Sequence, residues 1–199
     1  MNIGFIFAMK EEFMAALGKL ACKEIECKPF EVYELISENK DRVLAVVSGI
    51  GKIKASSATT WAIMKFSLDK VVNMGTCGAT LNAATDKVVR ITEVVNRDFD
   101  LSILYGASQK SPKLVLKKSS SPTVLYTADH FTLNANVFGY FDMEGYAVAE
   151  VAQSFGVKCE LIKVVTDVID SGTQNNQFGD NLNSASQKLN DELKKYVAK

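Results

Sequence analysis

Hydrophobic and polar positions along the chain follow two rhythms, and they alternate. Ile3 to Phe7 is an unbroken apolar run, the pattern of a strand covered on both faces. It runs directly into AMKEEFMAALGKL, where Phe13, Leu17 and Leu20 recur at helical spacing. Short β-rich runs follow at Phe30 to Leu35 and Arg42 to Val47. A helix is predicted from Lys52 to Phe66, opened by the glycines of SGIGK. Lys70 to Gly75 reads as a strand ended by a glycine turn, and Lys87 to Val95 and Thr123 to Thr127 as two more. From Met143 to Phe155, the residues Val148, Val151, Ala152 and Phe155 share one helical face, and Gly156 is the stop. Val157 to Val168 is a strand that empties into a polar loop, DSGTQNNQFGD. Asn181 to Val197 closes as an amphipathic helix. This alternation predicts an α/β fold with helices over a parallel or mixed sheet. With no repeat, linker or break in pattern, residues 1–199 read as one domain.

Composition adds exclusions. Lys plus Arg and Asp plus Glu are equal at 23 each, so no net charge and no basic stripe points to nucleic acid. The densest basic spot, Lys113, Lys117 and Lys118 beside three serines, reads as a solvated edge. Cys22, Cys27, Cys77 and Cys159 have no CxxC spacing, and His130 is the single histidine, so no zinc site is expected. The thiols fit a reducing compartment. The amino-terminal stretch lacks a basic region and a cleavage site, and no apolar run approaches the roughly 20 residues of a membrane helix. A cytoplasmic protein without a membrane partner is the expectation.

In sheets of this kind, ligands bind where strands give way to loops, so polar residues at strand ends are the candidates. Glu11 and Glu12 follow the first strand. Acids in a first helical turn favour the helix dipole, which accounts for one of them. Ser48 to Lys52 carries two glycines but lacks P-loop spacing. Its glycines either admit a ligand or make a tight turn. Asn73-Met74-Gly75-Thr76-Cys77-Gly78 reads as a backbone nest. Asp167 stands at the rim of its strand, as a turn former or a site residue. In FDMEGYAVAEV, Asp142 and Glu144 flank Met143 at a helix start, where capping explains either acid.

Taken in order, IGFIFAMKEE, SGIGK, NMGTCG, DMEGYAVA and TDVID resemble the nucleoside phosphorylase and nucleosidase superfamily. They resemble above all its hydrolytic branch, the methylthioadenosine/S-adenosylhomocysteine nucleosidases. The likeness spans nearly the whole chain, with AMKEE and DMEGYAVAEVA its most specific pieces. It implies a three-layer α/β/α fold with a central mixed, twisted sheet, a purine nucleoside as small-molecule partner, a homodimer, and neither cofactor nor metal. It implies catalytic roles for Glu12 (base for the attacking water), Asp167 (acid towards the purine N7) and Lys163, near the water where these nucleosidases usually carry arginine. It implies substrate contacts at Glu144 (ribose hydroxyls and the cation of the breaking bond), at Met9 and Met143 (under the sugar), and at Phe131 (stacked on the base). Thr132 falls at the purine edge, and Ile50, Gly75 and Thr76 fall within the matching turns. Asp142 keeps the capping reading.

Three readings stay open: hydrolysis, with futalosine hydrolysis as a variant, phosphorolysis by a purine nucleoside phosphorylase, and non-catalytic nucleoside binding. Hydrolysis is favoured because Asn73 stands where many phosphorylases of the superfamily hold an arginine, and FAMKEEF offers only Lys10 for phosphate. A dianion so poorly compensated is costly to desolvate. MGTCGA nonetheless resembles the phosphorylase turn more than the nucleosidase one. Futalosine hydrolysis would share the catalytic set and differ in the 5′ pocket, which the short stretch from Phe131 to Asp142 makes leaner. A non-catalytic nucleoside-binding protein is the third reading, and the three ordered carboxylates disfavour it.

Overall fold

In the computed structural model, residues 1–38, 40–80, 85–100, 102–105, 111–169 and 174–198 are described. The central strand is β5 (Lys70–Ala79). On one side it pairs in parallel with β1 (Asn2–Phe7), and on the other with β11 (Lys158–Val168). Outward from β1 lie β4 (Arg42–Val47), β3 (Glu31–Leu35) and β2 (Cys22–Glu26), the last two antiparallel. Beyond the end of β1, the last residues of β5 pair with β10 (Tyr140–Asp142). From there the sheet runs on through β9 (Val124–Thr127), β7 (Glu93–Asn96) and β8 (Lys113–Val115). β6 (Val88–Arg90) pairs with β11. The sheet is mixed, as expected, because returning hairpins and parallel crossovers share it.

Alternation of side chains sorts β1 between two layers. Ile3, Phe5 and Phe7 pack with Phe13 and Leu17 of α1 (Lys10–Leu17) and with Leu189 and Leu193 of α5 (Gln174–Val197). Ile6 faces the opposite way, into Ala58, Ala62 and Ile63 of α2 (Lys52–Phe66) and Val148 of α4 (Gly145–Ser154). Helices cover both faces, which gives the expected three layers; the short α3 (Ser102–Tyr105) comes between β7 and β8 along the chain. No helix among the described residues is long and apolar enough to cross a membrane.

Four expectations need correction. The strand beginning at Lys70 does not turn at Gly75 but runs on to Ala79, so NMGTCG is extended backbone and not a nest. Lys87 to Val95 is two strands, because β6 follows β11 while β7 leaves it for β9. The last helix begins at Gln174, within the segment read as a polar loop; Asp170 to Thr173 of that loop lie outside the described residues. Phe155 is exposed, not packed. It sits at the end of α4, where Gly156 takes φ 68° and the Gly156 and Val157 amides return to Gln153 and Ala152. These are the two bonds of a Schellman stop, so the glycine does end the helix while Phe155 is turned outward.

Candidate active site

β5 and β11 form the floor of the site, and glycines on or beside that seam mark where carboxylates come in. Glu12 is on the first turn of α1, which starts as soon as β1 ends. Its Oε1 accepts the Thr76 amide at 2.9 Å and the Thr76 hydroxyl at 2.7 Å. A Cβ on Gly75 would lie 3.2 Å from that same oxygen. Asp167 reaches the seam through a β-bulge: Val165 pairs with Cys77, Asp167 with Gly78, and Thr166 is the extra residue. Asp167 Oδ1 accepts the Thr166 hydroxyl at 3.0 Å, and the Thr166 carbonyl accepts the side-chain amide of Asn181 from α5. A Cβ on Gly78 would stand 2.9 Å from Asp167 Oδ2. The glycines are required here for clearance. Their φ angles are not in the left-handed region.

The third carboxylate, Glu144, precedes α4. Its Oε1 accepts the Gly51 amide at 2.8 Å, which ties this carboxylate to the start of α2. Burial raises its pKa, helped by the neighbouring Asp142 charge and opposed by Lys163, to about 7. Asp142 itself is not a plain cap. Its Oδ2 accepts the Gly145 amide at 2.8 Å, which is capping, but the same oxygen lies 2.8 Å from Lys163 Nζ, and its Oδ1 takes the Thr127 hydroxyl at 2.6 Å. Both members of the Asp142–Lys163 pair are 2% exposed at the side chain, a fully interior ion pair. Burial pulls the Lys163 pKa down, but Asp142 and Glu144 outweigh it and hold the ammonium charged. The sequence did carry a signal for the pair. A lysine within the apolar strand CELIKVV must find an anion, and Asp142 was the nearby acid without a role.

These groups line one cavity of about 320 Å³. Every residue to which the family resemblance gave a role is on its wall: Met9, Glu12, Ile50, Gly75, Thr76, Phe131, Thr132, Met143, Glu144, Lys163 and Asp167; the strand-end candidates Glu11, Ser48 and Lys52 are not. Sequence reasoning missed Asp142, Phe141 and Ile169 as wall residues, and treated Asn73 only as an arginine not present. Among the described residues, two acceptors on this wall are buried without a hydrogen-bond partner, Glu12 Oε2 and Asn73 Oδ1. The Asn73 amide orientation is fixed because its Nδ2 donates to the Ile6 carbonyl at 3.0 Å. Cys77 is also on the wall, but burial pushes its thiol far up and leaves it inert. Among the described residues no group of histidines, cysteines and acids is placed to hold a metal.

The family model described as phosphorylase superfamily matches residues 2–136 and 128–198. The chain belongs to the phosphorylase superfamily. Among curated proteins of the family, the chain is similar to a 5′-methylthioadenosine/S-adenosylhomocysteine nucleosidase of Arabidopsis thaliana, 28% identical over 98% of this chain and 90% of the relative. A protein of the same name from an Exiguobacterium species is 28% identical over 94% and 93%. Among solved structures, the nucleosidase of Helicobacter pylori, in complex with a pyrrolopyrimidine-pyrrolidinol ligand, superposes with a TM-score of 0.83 at 21% identity, covering 98% of this chain and 97% of that one. The futalosine hydrolase of the same organism gives 0.81 at 21% identity, over 98% and 96%. Within the superfamily fold, the architecture inferred from alternating strands and helices is the observed one.

Proposed function

We propose that the protein is a purine nucleosidase that hydrolyses the N-glycosidic bond of an adenosine-type nucleoside, with methylthioadenosine or S-adenosylhomocysteine as the default substrate. The observation that carries this reading is the trio of buried carboxylates on one cavity wall, each held differently: Glu12 with one oxygen open, Glu144 on a backbone amide, and Asp167 on a neighbouring hydroxyl. Asp167 donates its proton to N7 of the purine as the C1′–N9 bond breaks, and the bonding pair leaves with the base. Glu144 holds the ribose hydroxyls and, ionised, stabilises the positive charge at C1′. Water adds to C1′ and gives its proton to Glu12 Oε2. The products are the free base and the 5′-substituted ribose. Met9 and Met143 lie under the sugar, with Ile50, Gly75 and Thr76 around it, and Phe131 and Thr132 meet the base. Lys163, ion-paired with Asp142, orders the wall beside the attacking water without lending it net charge. The reaction needs no cofactor and no metal.

Water is favoured over phosphate by the polarity of the wall. Glu12 Oε2 and Asn73 Oδ1 both require donors, which a water's two O–H groups supply and a hydrogen-phosphate dianion, with a single O–H, cannot supply to both. The cavity's lysine is already neutralised by Asp142. The relatives named above as nucleosidases agree with this choice. The futalosine hydrolase likeness keeps that substrate as the second reading, because the lean 131–139 stretch has no helix to enclose a 5′ group.

Exposed Ile53, Leu133 and Phe138, beside the half-exposed wall residues Ile50 and Phe131, support a homodimer that covers the mouth of the cavity. A single-domain cytoplasmic enzyme of nucleoside catabolism and methionine salvage is the setting we infer. The test is a nucleoside panel assayed for free base with and without phosphate, beside a mass measurement in solution. Adenine release independent of phosphate is expected. Release that requires phosphate and yields ribose 1-phosphate would move the protein to the phosphorylases, and no base from any purine nucleoside would overturn the enzyme reading.

A further inference from the structure

Lys52 follows the glycine whose amide holds Glu144, and its side chain, which is not on the cavity wall, reaches the 96–98 segment and Asp129. Its ammonium reaches three acceptors from two segments: Asn96 Oδ1 at 2.9 Å, Asp98 Oδ2 at 3.1 Å and Asp129 Oδ2 at 3.2 Å. Two of these contacts are hydrogen bonds, the Asp129 contact is an ion pair, and the lysine side chain is 15% exposed. This is more built than a surface ion pair. Asp98 Oδ2 also accepts the Asp129 amide. Partial burial pushes the Asp98 carboxyl up, but the Asp129 amide and Lys52 outweigh it, so it stays below its ordinary range. Beside Asp98, Arg97 donates to the Thr132 hydroxyl at 3.0 Å and to the Asn134 carbonyl at 3.3 Å, with its guanidinium over the Phe141 ring. The segment from Asp129 to Asn134 carries His130, Phe131 and Thr132, which form the mouth-side wall of the cavity.

We propose that Lys52 is a positioning residue that latches the Asp129–Asn134 loop, and with it the base-binding wall, to the same helix start whose backbone holds the ribose carboxylate. Gly51 and Lys52 thus link the two ends of a bound nucleoside through one rigid element. Without the ammonium, Asp98 and Asp129 face each other as two like charges, and the loop loses its tie to the start of α2 while the Asp129 amide and Arg97 still join it to the 97–98 segment. The loop contacts substrate in ground and transition states alike, so its loosening weakens binding and leaves the bond-breaking step in place.

The role in substrate binding rests on the nucleosidase reading; the latch itself does not. Two measurements separate them. Hydrogen exchange on the substrate-free protein should show the 128–134 segment exchanging about tenfold faster in Lys52→Met than in wild type, with β5 and β11 unchanged. Steady-state kinetics on the nucleoside cleaved by wild type should show KM raised about tenfold with kcat within about twofold, and Lys52→Arg restoring most of the loss. Asp129→Asn removes one arm from an exposed position, and should give a smaller change in the same direction if Lys52→Met fails to fold. Unchanged exchange in both variants overturns the latch. Faster exchange with kcat reduced and KM untouched overturns the positioning role. A wild-type protein that cleaves no nucleoside fails the enzyme reading, and the exchange result then decides the latch by itself.

Discussion

The floor and the mouth of the cavity are built on opposite principles. The floor is the β5–β11 seam, with parallel strands, glycine clearances and carboxylates each held by short bonds. The mouth is the start of α2 and the 129–134 loop, where apolar side chains are exposed and ionic contacts bridge segments. Strands can keep an acid within the narrow tolerance that proton transfer needs, because neighbours on both sides fix their register. Loops can be lengthened or shortened without disturbing that register. Chemistry therefore belongs to the floor and substrate choice to the mouth, and substitutions in the two places should fail in different ways.

The largest effect is expected at the floor. Asp167→Asn removes the proposed proton donor and should lower base release by about 10²- to 10⁴-fold with folding intact, measured as kcat beside a thermal melt. Loss of less than tenfold would take the acid role from Asp167. Asp142→Asn should break the protein in another way. Removing one partner of a buried pair leaves Lys163 uncompensated, at a cost of about 3–5 kcal/mol of stability. Denaturant unfolding would show it, and replacing Lys163 by methionine in the same background should recover much of the loss. Glu144→Gln is the contrast: a large loss of turnover with little loss of stability.

Gly78→Ala tests the clearance argument. A Cβ 2.9 Å from Asp167 Oδ2 on a strand paired on both sides must shift the carboxylate by about half an ångström, and since a misplacement of about one ångström can cost about 10²-fold, a loss of about tenfold in rate is expected. Gly51→Ala, with open space around its Cβ, tests backbone strain instead, since φ there is 98°. The pH profile gives a smaller signal. Glu144 must be ionised to stabilise the cation, so kcat/KM should climb with pH through about 7. The stability sign is opposite. A carboxyl with its folded pKa above its ordinary 4.5 gives the native state extra protons, so stability falls as pH rises from 4.5 to about 7. Glu144→Gln should flatten both trends. A kcat/KM profile that stays level between pH 5 and 8 would remove the ionised form of Glu144 from the mechanism.

The floor was legible in the sequence because its chemistry is packed into short motifs. Glu12, Glu144 and Asp167 each stand beside a run of apolar residues that fixes where they point. The same motifs misled on geometry. Gly75 and Gly78 look like turn formers, and only the carboxylates opposite them show that a strand needed the space. Asp142 was misjudged because a cap and a counter-ion are identical in sequence, and the distinction depends on Lys163, twenty-one positions away. The Lys52 contacts were illegible for the same reason: their acceptors lie on segments 44 and 77 residues further along. Motifs report local order, and long-range electrostatic pairing leaves no periodic mark.

The smallest effect should come at the mouth, and it gives the sharpest test of the division. Phe131 is on the cavity wall yet 44% exposed, so its ring contributes area to a base on one side only. Stacking of a base on an aromatic ring is worth about 1–3 kcal/mol in nucleic-acid sites, and a half-exposed ring belongs at the lower end. Phe131→Ala should therefore raise KM by about fivefold to tenfold, leave kcat nearly unchanged, and leave the melting temperature where it was. If Phe131 is also covered by a second copy of the chain, the substitution should shift the monomer–dimer balance, and the KM of wild type should depend on protein concentration. A kcat loss comparable to that of Asp167→Asn would mean that the mouth takes part in bond breaking, and the separation of floor from mouth would fail.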